Sequence, residues 1–389
     1  MPSGSGQGED SDCSTCAVQD LIITLGLDLK LDRKLNSGSF GTVYRGSMAG
    51  RQVAVKVEPV EEDSENETLK TEYRMYRWLH NDRYQKYIGI PRVLFYFSGL
   101  EQAYRILVLP CMGLNLKQLM NRQPNRRFSI QTTALIALQG LQHLQYLSSK
   151  GIVHRDIKPA NLIIGSNRGF GQSCIYLVDF GLSKFFISQR TGKHISNRKC
   201  DGVTGTLRYM GIHAHEANEA SRRDDLQAFA YMLIYFLKGR LPWQDIETSA
   251  PGEDNWSRVH QMKRTISTRD LCADLPEVFS KLLDYSNDLV FDEDPDYELL
   301  QRMFFDFLVA NFRHVKYEFD WTTRPAATGS SAATTTTHIS SSTAPADHDH
   351  HHRHHHGEAG SADEPRRRTD SHDSMTASDA RHVSKCPTR

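Results

Sequence analysis

The sequence predicts an α+β protein in two lobes, a small β-rich N-lobe followed by a larger, mainly helical C-lobe. Three observations carry this. The first third of the chain holds short β-branched runs separated by glycines, the pattern of strands. From about Leu116 onward apolar residues recur at helical spacing. After Trp321 the large apolar side chains all but disappear, so the folded part ends near there. With 39% of its residues hydrophobic and 24% charged, the chain has the apolar content to bury a large core.

The elements follow in order. Residues 1–26 are rich in Gly, Ser, Asp and Gln and predict a disordered leader. Thr42-Val43-Tyr44-Arg45 and Gln52 to Val57 predict strands split by Gly46 and Gly50. Residues 66–80 predict an amphipathic helix with Leu69, Tyr73, Tyr76 and Leu79 on one face. Arg105 to Leu109 reads as a buried strand. Thr132 to Ser149 predicts a helix with Leu135, Leu138, Leu141 and Leu144 near one stripe. Residues 225–238 are almost wholly apolar, so that helix should be buried on all sides. The folded part is 27–322, divided into an N-lobe of about 27–108, a hinge at 109–113 and a C-lobe at 114–322. Residues 323–389 predict a disordered tail dominated by Ser, Thr, His and Asp, with too little apolar surface to offset the entropy of ordering.

Charge narrows the function. The 47 basic residues balance 47 acidic ones, so no global field argues for nucleic acid or a membrane as partner. No run reaches the length of a membrane-spanning helix, and the polar, acidic start is not a secretory signal. A cytoplasmic and/or nuclear location, and a monomer, are the expectations. The seven cysteines are odd in number and scattered. Cys13 and Cys16 form one C-x-x-C without a second pair, and read as reduced thiols rather than a zinc site.

The chemistry is concentrated in His154-Arg155-Asp156-Ile157-Lys158-Pro159-Ala160-Asn161, followed by Asp179-Phe180-Gly181. Phosphoryl transfer is mostly positioning and charge neutralisation, and these residues supply both at the spacing protein kinases use. Asp156 would accept the proton of a substrate hydroxyl, and Lys158 would steady the moving group. Asn161 and Asp179 would hold Mg²⁺ against the phosphates of ATP. Either string alone recurs by chance; both in order, with Lys158 and Asn161 between, are specific.

A phosphate cradle lies upstream. Asn36-Ser37-Gly38-Ser39-Phe40-Gly41-Thr42-Val43 sits between strand-like runs, and glycines there let backbone N–H groups approach phosphates. Asn36 stands where the usual G-x-G-x-x-G-x-V has its first glycine; Asn tolerates unusual backbone angles better than most residues. Val53-Ala54-Val55-Lys56 carries the lysine for the α- and β-phosphates. Glu72 is favoured as the carboxylate that holds it, with Glu67 as the rival. Leu35, Val43 and Ala54 would roof the adenine site and Ile163 would form part of its floor. Leu109 would close its back, with Pro110 and Cys111 in the hinge. Pro110 has no N–H, so hinge bonds fall to its carbonyl and to Cys111.

Further on, Val203-Thr204-Gly205-Thr206-Leu207-Arg208-Tyr209 is followed by Met210-Gly211-Ile212-His213-Ala214-His215, where most kinases have Ala-Pro-Glu. Ser221-Arg222-Arg223-Asp224-Asp225-Leu226, Gly239 to Gln244, Phe291 to Tyr297 and Tyr317 to Trp321 complete a pattern that closely resembles the casein kinase 1 family over about 27–322. The resemblance implies a two-lobed protein kinase fold, transfer from ATP to Ser/Thr of protein substrates, and Mg²⁺. It implies that Asp225 braces the catalytic-loop backbone, that Arg208 can bind an anion on the substrate, and that activation-loop phosphorylation is not needed. It also makes Thr334–Thr337 and Ser340–Thr343 candidate autophosphorylation sites. The departures are Asn36, Ala160, Gly211, His213 and Asp201. Asp201 stands where the family has a lysine that helps bind a substrate phosphate, with Arg198 and Lys199 able to compensate. A weaker preference for phospho-primed or acidic substrates follows. The rival readings are a pseudokinase scaffold and a small-molecule phosphotransferase on a related fold.

Overall fold

The computed structural model describes residues 10–38, 41–60, 67–81, 87–99, 103–166, 170–200, 202–247, 255–312 and 318–322. All lie in one unit, Met1–Ala326. The expectations for Ser39, Phe40, Asp201 and residues 323–389 therefore fall outside the described residues.

The N-lobe is a five-stranded antiparallel sheet in the order β1-β2-β3-β5-β4. Its strands are β1 (Leu29–Gly38), β2 (Gly41–Met48), β3 (Arg51–Pro59), β4 (Phe95–Ser98) and β5 (Tyr104–Pro110). The two-residue period of β3 decides which side chains reach the site. Val53, Val55 and Val57 turn to the outer face and are buried there with Ile106 and Val108. Ala54 and Lys56 turn the other way, paired with Leu109 and Leu107, toward helix α2 (Thr68–Leu79). β2 runs unbroken through Gly46.

The disordered leader expected over 1–26 is corrected in its second half. Asp10–Thr24 is a helix, α1. Val18 and Ile22, four residues apart on one stripe, are buried in the outer-face core. Gln19 Nε2 donates to Leu29 O (3.3 Å), and its Oε1 accepts from Leu31 N (3.1 Å). The polar first nine residues dilute the composition and hide so short an apolar stripe. β1 is exposed after Leu29 but for the half-buried Leu31, and it is the strand-like run expected before the phosphate loop.

The C-lobe is built around α4 (Ile130–Ser149) and α7 (Arg222–Lys238). The short helices α3 (Leu116–Asn121), α5 (Phe170–Ser173) and α6 (Ile212–His215) flank them. The chain continues through α8 (Gln244–Glu247), α9 (Asn255–Thr265), α10 (Thr268–Leu271), α11 (Glu277–Asp288) and α12 (Tyr297–Asn311). α7 is buried from Arg222 through Leu237, as its apolar run predicts. It starts three residues earlier than the run, where the Asp224 carboxylate accepts from Ser221 N (2.9 Å) and holds the first turn. α4 starts at Ile130 because the Ser129 hydroxyl accepts from Thr132 N (3.1 Å). Asp320 in turn accepts from the backbone N–H and the hydroxyl of Ser129, each at 2.7 Å, which ties residues 318–322 to the lobe. Two small ladders carry the catalytic segments: β6 (Ile152–Val153) with β9 (Lys184–Phe185), and β7 (Leu162–Ile164) with β8 (Ile175–Leu177). Among the described residues no helix is long and apolar enough to cross a membrane.

Candidate active site

A cleft of about 770 Å³ opens between the sheet and the C-lobe. Leu35, Val43 and Ala54 line it from above, Ile163 and Val178 from below, and Leu109 at the back. Asn36, Gly38 and Gly41 line it together with Lys56, Glu72, Asn161 and Asp179. Asn36 pairs with Val43 just after a register shift between Lys34 and Asn36, and its φ is not positive, so its replacement of a glycine needs no left-handed backbone. Gly41 cannot be replaced so easily: at φ 111°, a Cβ there would meet Val57 O at 2.1 Å. Ser37 does not line the cleft; its hydroxyl faces Thr42 Oγ1 at 3.2 Å.

The hinge expectation is half corrected. Cys111 lines the cleft, but its N–H donates to Gln52 O (3.2 Å), because β5 continues its pairing with β3 past Pro110. A nucleotide cannot use that donor without breaking the pairing. Met112, one residue on, lines the same cleft and was not singled out in the sequence. Its neighbour Cys111 carried the obvious signal of following the proline.

Lys56 Nζ donates to Glu72 Oε2 and to Asp179 Oδ1, each at 2.6 Å. Burial alone would lower the Lys56 pKa, but the two carboxylates outweigh it and raise it. Glu72 is raised to about 7, because its burial and the Asp179 charge outweigh the lysine. Asp179 stays below the carboxylate range: burial opposes this, but the Lys56 charge prevails. Glu67, the rival, pairs instead with Lys70 (2.8 Å) at the start of α2. The helix turn decides between them, since Glu72 shares the buried face with Leu69, Met75, Tyr76 and Leu79.

Below the cleft, β6 delivers the chain into the catalytic loop. Asp225, buried on α7, accepts from His154 N (2.6 Å) and Arg155 N (2.8 Å). Arg155 needs this brace, because its φ is 67°. The His154 ring is fixed at both ends: Nε2 contacts Val178 O (3.1 Å), and Nδ1 accepts from Asp156 N (3.3 Å). This makes it the neutral Nε2–H tautomer, consistent with the lowering of its pKa by burial. Phe180 is fully buried, edge-on to Tyr76 with ring centres 5.0 Å apart, and its ring centre lies 5.0 Å from that of His154. That anchoring leaves Asp179 facing the cleft.

Asp156 is nearly enclosed. Its Oδ2 receives Lys158 Nζ (2.5 Å) and Asn161 Nδ2 (3.2 Å), and its Oδ1 receives Thr206 Oγ1 (2.6 Å). Thr206 also takes Lys158 Nζ at 3.2 Å. It was visible in the sequence only as part of Thr204-Gly205-Thr206. Gly205 (φ 118°) lets that segment lie against the catalytic loop, where a Cβ would meet Arg155 O at 2.7 Å. Arg208 stands farther along, its guanidinium 6.0 Å and 5.9 Å from the ring centres of Tyr209 and Tyr235. The two cations expected to compensate for Asp201 are already engaged: Arg198 Nε bonds Glu219, and Lys199 Nζ bonds Glu216 O (2.7 Å).

Comparison with known proteins agrees with this geometry. Residues 29–298 match the protein kinase domain family. Casein kinase I homolog 1 of Schizosaccharomyces pombe is 38% identical over 299 residues, covering 76% of this chain and 65% of that protein. Casein kinase I homolog 2 of the same organism is 37% identical over 299 residues, covering 76% of this chain and 66% of that protein. The chain thus spans just under two thirds of the length of these curated relatives.

Proposed function

The chain belongs to the protein kinase family, and we propose that it is a casein kinase I-like serine/threonine kinase, moving the γ-phosphoryl group of ATP to hydroxyls of protein substrates. The observation that carries this is Asp156 beside Lys158 and a threonine hydroxyl, one cleft wall away from the Lys56–Glu72–Asp179 cluster. Lys56, held by Glu72, would take the α- and β-phosphates. Asp156 Oδ1 would accept the proton of the incoming hydroxyl, which would approach where the Thr206 hydroxyl now donates. Lys158 would balance charge on the phosphoryl oxygens as the bond to the β-phosphate breaks.

The donor set fits Mg²⁺. Asn161 Nδ2 donates to Asp156 O (2.9 Å), which leaves its carbonyl oxygen for a hard cation beside the Asp179 carboxylate. Asn161 and Asp179 would hold the ion, and it would supply neutralisation of the phosphate charge. Among the described residues no group of three or more His, Cys, Asp or Glu stands ready to hold a metal unaided.

A second reading, the pseudokinase scaffold, rested on Asn36 and Gly211. Asn36 sits in β1 without a left-handed backbone. Gly211 precedes α6, where its neighbour Ile212 N donates to Gln227 Oε1 (2.6 Å). Neither touches Asp156. The test is phosphate transfer to casein or an acidic peptide, with Asp156→Asn as control. Loss of signal in the variant is expected, and equal signal from both proteins removes the enzymatic reading.

A further inference from the structure

Glu219 lies just before α7 and outside every motif used above, yet its side chain is only 1% exposed. Its Oε1 receives Lys184 Nζ at 2.6 Å and its Oε2 receives Arg198 Nε at 3.3 Å. Its backbone N–H donates to Arg198 O (2.8 Å). The two cations come from two places: Lys184 from β9, at the start of the segment after Asp179-Phe180-Gly181, and Arg198 from the middle of that segment. Glu219 itself stands at the segment's far end. Backbone bonds follow the same seam, from Cys200 N to Ala217 O (2.8 Å) and through the Lys199–Asn218 bridge.

Kinases switched by phosphorylation gather arginine and lysine around a phosphate carried by this segment, and so order it. Without an anion, the two cations drawn together here would repel one another and release the segment. We propose that the Glu219 carboxylate is a built-in substitute for that phosphate: a positioning residue that holds the segment closed, and with it Thr206 against Asp156, with no modification required. The inference rests on the kinase reading of the site.

The same geometry supplies its test. Arg198 is 69% exposed and Lys184 33% exposed, so the cations are open to solvent from one side. Removing the carboxylate leaves a cationic pocket that an inorganic oxyanion can enter. Glu219→Ala is expected to lower kcat by about 10- to 100-fold, the cost of a misplacement of about 1 Å, with KM for ATP changed by less than about threefold. Sodium sulfate is expected to restore at least about fivefold of that kcat, against sodium chloride at equal ionic strength. Trypsin should cut the variant faster at Arg198 and Lys199, and sulfate should slow that cleavage. The isosteric Glu219→Gln, which keeps the shape and loses the charge, is read alongside in case the alanine variant does not fold. Wild-type kcat in Glu219→Gln overturns the proposal. So does a folded Glu219→Ala whose lost activity sulfate and chloride restore equally or not at all. A wild-type protein that transfers no phosphate fails the kinase reading instead, and the trypsin and sulfate comparison still reads the pocket.

Discussion

Ile22 and Ile23 are neighbours on α1 with opposite surroundings: Ile22 is 0% exposed and Ile23 is 66% exposed. Ile22→Ala removes three carbons from the core on the outer face of the sheet, where Ile22 is buried with Val18, Leu29 and Val55. At about 0.8 kcal/mol per buried methylene, the transfer part is about 2.4 kcal/mol. The unfilled space adds to it, which gives about 3 kcal/mol, within the usual range of about 2–5 kcal/mol for this change in a core. Ile23→Ala should cost less than about 0.5 kcal/mol. The assay is urea denaturation of the full chain, with the two variants compared at equal m-value. A functional readout accompanies it. Gln19 on α1 holds β1 at Leu29 and Leu31, and β1 leads directly to Asn36 and Gly38 in the cleft. Ile22→Ala should therefore raise KM for ATP more than it lowers kcat. Equal stability of the two alanine variants would refute the placement of α1 on the sheet. A stability loss with unchanged KM would refute only its link to the phosphate loop.

Three further outcomes are expected. Glu72 is raised to about 7 by burial, so activity and stability should respond to pH in opposite senses. The folded state holds this proton more tightly than the unfolded state, so the group's contribution to stability falls as pH rises from about 4.5 to about 7. The charged form is the one that holds Lys56, so KM for ATP should rise as pH falls below 7, and Glu72→Gln should flatten that part of the profile; an unchanged profile contradicts the role. Asp225→Ala leaves two buried N–H groups without their acceptor, at about 1–3 kcal/mol each. It should lower both the denaturation midpoint and kcat, while Asp225→Asn, which keeps one acceptor, should lose about half as much. Finally, Arg198 and Lys199 are engaged elsewhere, so a phosphate three residues upstream of the acceptor should raise kcat/KM by less than about tenfold, or about 1.4 kcal/mol. A larger ratio on primed and unprimed peptides would overturn the weaker-priming expectation.

The catalytic loop was legible because its chemistry is local. Asp156 and Asn161 are only five residues apart, and Asn161 Nδ2 returns to Asp156 O (2.9 Å), so residues close in sequence stay close in space. α7 was legible because a helix buried on every side leaves its mark in composition. The contacts that were missed share the opposite property. Thr206 reaches Asp156 from 50 residues away, and Glu219 reaches Lys184 from 35; no periodicity records such a meeting. Glu72 and Glu67 could be ranked but not separated without the turn of α2. Only the Cys111 N–H was misread: the proline before it suggested a free backbone, whereas β5 keeps its pairing with β3 one residue longer. α1 shows the weakness of composition as a guide: one stripe of Val18 and Ile22 is enough to seat a helix on a sheet that would otherwise leave its valines bare.

Arg155 brings these threads together. Its backbone sits at φ 67°, a conformation that costs a non-glycine residue about 1–3 kcal/mol and persists only where its surroundings over-determine it. Two contacts supply that determination, one on the backbone and one on the side chain. Asp225 takes the N–H groups of His154 and Arg155 and so fixes the backbone. The guanidinium is held in turn, its Nε donating to Leu182 O, the residue after Asp179-Phe180-Gly181. Asp156 follows directly, so its carboxylate is aimed by a residue that is itself held twice. Both anchors are parts of the chain, present in every molecule with no nucleotide or modification required. The strained turn is therefore kept ready rather than formed on demand. A site whose catalysis consists of positioning has its accuracy set by these anchors as much as by the groups that touch the substrate.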